Sequence, residues 1–112
     1  MKLTARVEDE TCAITVDETR IDAAAAIRFK DRMREVIPQD ARRIVLDLGA
    51  VTFIDSSGLG AIVSVMKQLD DGQRLELAAL QPNVDRVFRL TRMDTVFPIH
   101  SCIAEAVRNH AD

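Results

Sequence analysis

Runs of apolar residues separated by polar turns predict that strands and helices alternate along this chain. Residues 3–7 and 12–16 cluster β-forming side chains on either side of a polar turn, which predicts an antiparallel hairpin. Residues 43–48 form a nearly continuous apolar run, typical of a central strand that is covered on both faces. Residues 75–80 and 96–99 predict two further strands.

Four other segments carry apolar residues at three- and four-residue spacing, which predicts the helices 23–36, 59–69, 82–91 and 101–107. Asp22 and Ser101 are favourable N-cap residues for the first and the last of these helices. Strands that alternate with helices pair in parallel through right-handed crossovers, and the hairpin adds an antiparallel edge. We therefore predict one α/β domain over residues 1–112, with a mixed sheet of four to five strands and about four helices.

Composition and charge indicate a soluble domain and argue against a nucleic-acid-binding or membrane protein. The 112 residues are 47% hydrophobic and 29% charged, which predicts a packed, soluble domain. The formal net charge of −3 argues against direct binding to nucleic acid. The first residues lack the apolar region of a signal peptide, and the apolar stretch 59–66 is too short to span a bilayer. We expect a cytoplasmic protein without membrane insertion, in which Cys12 and Cys102 stay reduced.

Residues 51–60, Val-Thr-Phe-Ile-Asp-Ser-Ser-Gly-Leu-Gly, leave a buried strand and enter the second predicted helix. Ser56 and Ser57 therefore lie at a helix N-terminus. The unpaired backbone N–H groups there can donate to a serine hydroxyl that caps the helix, and they can equally stabilise a phosphate placed on that serine. Gly58 allows the backbone to approach a neighbour closely. Both interpretations of the serines, as helix caps and as a functional site, stay open at this point.

Motifs of catalysis and metal binding do not fit the chain. The serines lack the glycine spacing of a nucleophile elbow, and the glycines do not form a phosphate-binding loop or a full dinucleotide fingerprint. His100, Cys102 and His110 match no common zinc spacing. We predict no cofactor, no metal and no catalytic residue, and interpret the arginines of the third helix as a solvated face.

The second helix carries a candidate docking surface. If Leu59, Ile62 and Met66 face the sheet, the residues on the opposite side are small or uncharged where solvent usually selects charge. These residues are Ala61, Ser64, Val65 and Gln68. Ile27 of the first helix is also predicted to be exposed, near the same end of the domain as Ser57. Together these residues predict a surface that binds another protein.

Residues 44–48 (Ile-Val-Leu-Asp-Leu) and 53–60 (Phe-Ile-Asp-Ser-Ser-Gly-Leu-Gly) resemble the signature of STAS domains, and specifically of the anti-sigma factor antagonists. Residues 21–24 and 84–97 are similar to that family at matching places. Two positions depart from it: Thr19 stands where the family often has a glycine, and Arg92-Met93 replace a Gly-Leu pair. These departures affect the expected loop geometry.

The resemblance implies a STAS fold and a switch rather than an enzyme. In that family the serine before the glycine, here Ser57, is phosphorylated by a serine kinase that is also the anti-sigma factor; Ser56 is the second choice. The helix-one aspartate, here Asp22, is expected near that serine, and Asp55 makes the corner more negative. The unmodified protein would bind the kinase through this corner and free a sigma factor. A metal-dependent serine phosphatase would reset the switch.

Two other functions stay open from the sequence. Similar domains serve chemosensory and lipid-transport complexes, so a sigma-factor pathway is the commonest case rather than the only one. A small nucleotide-binding domain or hydrolase that uses Ser57 and the neighbouring glycines is the alternative from a different class. It predicts turnover or tight binding of ATP by the chain alone, whereas the switch requires a partner kinase.

Overall fold

The computed structural model describes residues 1–108, so His110, one member of the considered zinc set, lies outside the described residues. The strands are Leu3–Glu8 (β1), Thr11–Val16 (β2), Arg20–Ile21 (β3), Arg43–Asp47 (β4), Phe53–Ile54 (β5), Arg74–Ala78 (β6) and Ile99–His100 (β7). The helices are Ala23–Val36 (α1), Ser56–Lys67 (α2), Pro82–Leu90 (α3) and Ile103–Arg108 (α4). No helix in this part of the chain is long and apolar enough to cross a bilayer.

The main sheet has five strands in the order β1-β2-β4-β6-β7. β1 and β2 pair in antiparallel fashion, while the remaining neighbours are parallel. The predicted α/β class, the N-terminal hairpin and the central place of the strand at residue 43 are therefore confirmed. The parallel strands need helical crossovers, which explains why apolar runs of period two and of period 3.6 alternate along the sequence.

The hydrophobic core lies between the sheet and the pair α1 and α2. Ile44 and Leu46 of the central strand are buried there together with Ile62 of α2 and Phe29 of α1. The opposite face of the sheet holds only a small cluster, in which Val45 packs against Ala106 of α4. The domain is thus thick on one side of the sheet and covered by a single short helix on the other.

A two-stranded sheet formed by β3 and β5 escaped the sequence prediction because each strand has only two residues. The strands are parallel, with Arg20 opposite Phe53 and Ile21 opposite Ile54. Both isoleucines are buried and anchor the pair to the core. Because each strand is followed at once by a helix, this small sheet brings the N-termini of α1 and α2 to one corner of the domain.

The C-terminal part of the chain differs from the prediction. The fifth strand of the main sheet is Ile99–His100 rather than 96–99, since Met93–Thr95 form a 3₁₀ turn that Val96 closes. Ser101 does not cap the last helix: α4 begins at Ile103, and the Ser101 hydroxyl donates to the Glu105 carboxylate. His100 belongs to the sheet, where its Nε2 lies 2.7 Å from Glu76 Oε1.

Candidate functional site

The N-cap of α2 is Asp55, so the interpretation of a serine as the cap is wrong. Asp55 Oδ1 accepts a hydrogen bond of 2.9 Å from the backbone N–H of Gly58. Ser56 and Ser57 are the first two residues of the helix, and both are exposed. A carboxylate at the cap position pairs with one of the orphan N–H groups of the helix N-terminus. The serine hydroxyls therefore remain available to solvent or to a partner.

Asp55 also joins the two helices of the corner. Its second oxygen, Oδ2, accepts a hydrogen bond of 3.2 Å from the backbone N–H of Ala23, the first residue of α1. One carboxylate thus binds orphan N–H groups of both helix N-termini, where a negative charge is favourable. The parallel pairing of β3 with β5 makes this possible, because it places Asp22 and Asp55 side by side after the last paired residues.

Asp22 is the N-cap of α1, as predicted from the sequence. Its Oδ1 accepts from the backbone N–H of Ala25 at 3.2 Å, and its Oδ2 lies 3.3 Å from Arg20 Nε. The hydrogen bond from Ala25 and, with a smaller effect, the Arg20 guanidinium lower the pKa of the Asp22 carboxyl. Asp22 and the α2 N-terminus share a corner, as the resemblance implies, and the role of Asp22 in regulation stays a prediction.

Gly58 is required by the contact between α2 and β3. A Cβ atom at this position would lie 1.9 Å from the backbone oxygen of Ile21, far inside van der Waals distance. At Gly60, two residues further and on the outer side of the helix, a Cβ would meet nothing within 4 Å. The close approach predicted at Gly58 is therefore present, and its neighbour is the chain's own backbone.

The predicted outer face of α2 is wrong at two positions. Ala61 and Val65 are only 3% and 5% exposed, and with Gly58 and Ile62 they form the buried stripe of the helix. The reason is that α2 packs against α1 as well as against the sheet, so its buried arc is rotated toward α1. Ala61 and Val65 cannot form an open docking surface.

The remaining members of that predicted surface are accessible to different degrees. Ser64 is half-buried and Gln68 is exposed. Gln68 lies eleven residues after Ser57, about 16 Å along the helix, and lines a groove of about 370 Å³ between the C-terminal ends of α1 and α2. Ile27 is 66% exposed, as predicted, in the second turn of α1. Their binding of a partner stays a prediction.

Two residues of the corner were missed by the sequence analysis, Arg20 and Phe53. The Arg20 guanidinium lies over the Phe53 ring, with Cζ 4.1 Å from the ring centroid. The sequence contained a signal for this pair, because Arg-Ile-Asp at 20–22 and Phe-Ile-Asp at 53–55 repeat one pattern, each directly before a helix. Equivalent positions in two parallel strands become neighbours, which places Arg20 beside Phe53.

The two departures from the resembled family have different consequences. Thr19 keeps an ordinary backbone, and its carbonyl oxygen accepts from the N–H of Thr52 at 2.8 Å and of Phe53 at 3.2 Å. A carbonyl contact of this kind does not require glycine. Arg92, in contrast, adopts a left-handed backbone with φ 63°. This left-handed turn is thus formed by a residue type that disfavours it.

Within residues 1–108 there is no group of three His, Cys, Asp or Glu side chains that could hold a metal ion. His100, which could in principle serve a serine as a base, is bonded to Glu76 beneath α4, on the sheet face opposite α2. Cys12 is buried, which raises the pKa of its thiol, and Cys102 is exposed and free.

Comparison with known proteins agrees with this arrangement. The model of the STAS domain family matches residues 2–106. BtrV of Bordetella bronchiseptica, which is named as an anti-sigma factor antagonist, is 34% identical over 80 residues, 70% of this chain and 69% of BtrV. An anti-sigma factor antagonist from Mycobacterium paratuberculosis has the same fold, with a TM-score of 0.86 at 23% identity over 99% of this chain and 94% of that structure.

A second solved structure has the same fold. It is the Bacillus cell fate determinant SpoIIAA in its phosphorylated form, with a TM-score of 0.69 at 22% identity over 96% of this chain and 98% of that structure. The family match covers both helices of the corner and the whole of the main sheet. The chain therefore belongs to the STAS domain family, among the anti-sigma factor antagonists.

Proposed function

We propose that this chain is a phosphorylation-controlled binding protein: unmodified, it binds an anti-sigma factor that is also a serine kinase, and so frees a sigma factor. The observation that carries the proposal is the exposure of Ser57. This residue lies in the first turn of α2 with its hydroxyl free of the cap role, because Asp55 occupies the cap position. A kinase can reach this hydroxyl without opening the fold. The relationship to anti-sigma factor antagonists supports the choice of partner.

Phosphorylation would change the charge of the corner more than its shape. A phosphate adds about −1.5 to −2 charges, and the free N–H groups of a helix N-terminus can accommodate it. The corner already holds Asp22 and Asp55, so the added charge makes the surface strongly negative. Release of the partner follows from repulsion and lost complementarity, and a metal-dependent serine phosphatase restores the binding form. The chain itself needs no cofactor, performs no catalysis and acts in the cytoplasm.

The acceptor is tested on protein isolated from its native cell. We expect mass spectrometry to find a phosphopeptide with the phosphate on Ser57, and Ser57→Ala to abolish it while retaining partner binding. Ser56→Ala is the matched control, since Ser56 is also exposed one residue earlier, and this variant should still be phosphorylated on Ser57. Stoichiometric phosphorylation of Ser57→Ala would move the acceptor to Ser56. Hydrolysis of ATP by the pure chain would instead favour the enzyme alternative.

The docking surface is tested with an exposed apolar residue on each of two helices, α1 and α3. Ile27→Glu on α1 should abolish binding to the anti-sigma factor, measured by calorimetry, because an unpaired charge would be buried at the interface. Leu90→Glu on α3 is the control, since Leu90 is even more exposed at 78%. Both variants should fold, as neither side chain belongs to the core. Equal affinities for the two variants would remove α1 from the docking surface.

A further inference from the structure

Arg20 is held in place at the serine corner by two unlike neighbours. Its guanidinium lies over the Phe53 ring at 4.1 Å, and its Nε lies 3.3 Å from Asp22 Oδ2. The side chain is nevertheless 57% exposed, so solvent screens the ion pair and its stabilising effect is small. An arginine in a weak contact with a carboxylate can exchange that partner for a more highly charged anion.

Arg20 is also the only cationic side chain within the two segments that carry the helix N-termini of this corner. Segments 18–27 and 51–60, which include the N-termini of both helices, contain three carboxylates and one arginine, but no lysine or second arginine. A phosphate on Ser57 would therefore share the corner with Asp22 and Asp55, and Arg20 is the counter-charge that these two segments offer. Guanidinium groups bind phosphate oxygens through paired, charge-assisted hydrogen bonds.

The hydrogen bonds of the corner permit such an exchange without loss of a helix cap. Asp22 uses Oδ1 to accept from Ala25 and Oδ2 to bind Arg20, so departure of Arg20 leaves the cap of α1 intact. A short series of hydrogen bonds connects Arg20 to the first turn of α2. Asp22 precedes Ala23, whose N–H donates to Asp55, and Asp55 accepts in turn from Gly58, the residue after Ser57.

We propose that Arg20 is the internal counter-ion of a phosphate on Ser57, and that phosphorylation moves its guanidinium from Asp22 and Phe53 to the phosphate. This inference rests on the proposed function, because it concerns the phosphorylated form. It adds a consequence beyond charge: Phe53, already 37% exposed with Arg20 above it, loses its cover. A partner would then meet a different aromatic surface as well as a more negative one.

The test uses protein with phosphoserine incorporated at position 57 during translation, so no kinase is needed. The second ionisation of the phosphate, near pH 6 in an unperturbed phosphoserine, is followed by ³¹P NMR in the parent and in Arg20→Gln. A nearby guanidinium favours the dianion, so we expect the phosphate pKa to be higher in Arg20→Gln by roughly half a unit or more. Arg20→Lys should give an intermediate value.

Arg6→Gln is the matched control, since it removes the same charge from an exposed site on β1. The phosphate pKa of this variant should equal that of the parent. Equal values in the parent and Arg20→Gln, or an equal rise in Arg20→Gln and Arg6→Gln, would overturn the assignment. Failure of the proposed function has a different signature: Ser57 would carry no phosphate in the native cell, whatever the titrations of the incorporated phosphoserine give.

Discussion

Arg92 holds a backbone conformation that glycine adopts freely and that a side chain with Cβ disfavours. Its φ is 63°, and its carbonyl accepts hydrogen bonds from the N–H and the hydroxyl of Thr95, which fix the turn after α3. The resembled family places a glycine at this position. The side chain of Arg92 is exposed, so a substitution there acts on the backbone rather than on packing.

We predict that Arg92→Gly raises the free energy of unfolding by about 0.5 to 1 kcal/mol, because it removes the left-handed strain at a modest cost in unfolded-state entropy. The control is Arg86→Gly, an exposed position inside α3 with an ordinary helical backbone, which should lower stability by about 1 kcal/mol. Urea unfolding measures both. A loss of stability in both variants would show that the left-handed turn is not strained.

At the level of elements, the approach of α2 to β3 sets the geometry of the serine corner. Gly58 allows the first turn of the helix to lie against the backbone of Ile21, and Asp55 connects that turn to α1. Neither contact depends on a large buried surface. The position of Ser57 consequently depends on Gly58, which has no Cβ, and on the carboxylate of Asp55.

We predict opposite effects for the same substitution at the two glycines of α2. Gly58→Ala should lower the free energy of unfolding by about 1 to 3 kcal/mol, because the new Cβ would lie 1.9 Å from the Ile21 carbonyl oxygen. Gly60→Ala should raise it by about 0.5 to 1 kcal/mol, since alanine favours the helix and the outer side is open. Thermal unfolding compares them, and an equal response would contradict the close-approach argument.

The elements differ in how far the sequence could predict them. Four strands of the main sheet and the four helices follow from longer patterned segments, and Asp22 is correctly predicted as a cap, whereas the two-residue strand β7 was predicted at 96–99 and lies at Ile99–His100. The pairing of β3 with β5 could not be predicted because two-residue strands carry no periodicity. The sequence prediction misplaced the buried side of α2, because the small residues Ala61 and Val65 pack against α1. Both sides of α2 carry apolar residues, and helical spacing alone does not tell which side faces a neighbouring helix.

On the scale of the whole molecule, the two faces of the sheet differ in the residues that they carry. One face carries α1 and α2, whose shared corner presents Ser57. The other carries a buried ion pair, in which Arg43 donates to both oxygens of Glu76 at 2.9 and 2.6 Å. Arg43 also donates to the carbonyl of Ala106 in α4 at 2.9 Å, so one arginine connects β4, β6 and α4. The pair therefore holds the C-terminal helix to the sheet.

Glu76 should dominate the acid sensitivity of the fold. Burial alone would raise its pKa, but hydrogen bonds from Arg43, His100 and Arg74 outweigh burial and lower the pKa from 4.5 to about 2. Between these values the unfolded chain binds a proton that the folded chain does not. Stability from this group is thus complete above about pH 4.5 and is lost as the pH falls toward 2, with a total of about 3 kcal/mol.

We predict that Glu76→Gln lowers the free energy of unfolding at pH 7 by about 3 to 5 kcal/mol, because it leaves Arg43 buried without a counter-charge. It should also flatten the decline of stability between pH 4.5 and 2, measured by urea unfolding at a series of pH values. Glu10→Gln is the control: Glu10 also pairs with an arginine, Arg42, but both side chains are exposed, so its effect should stay below about 1 kcal/mol. If the two variants lose stability equally and retain the acid response of the parent, the buried pair does not hold the sheet and α4 together.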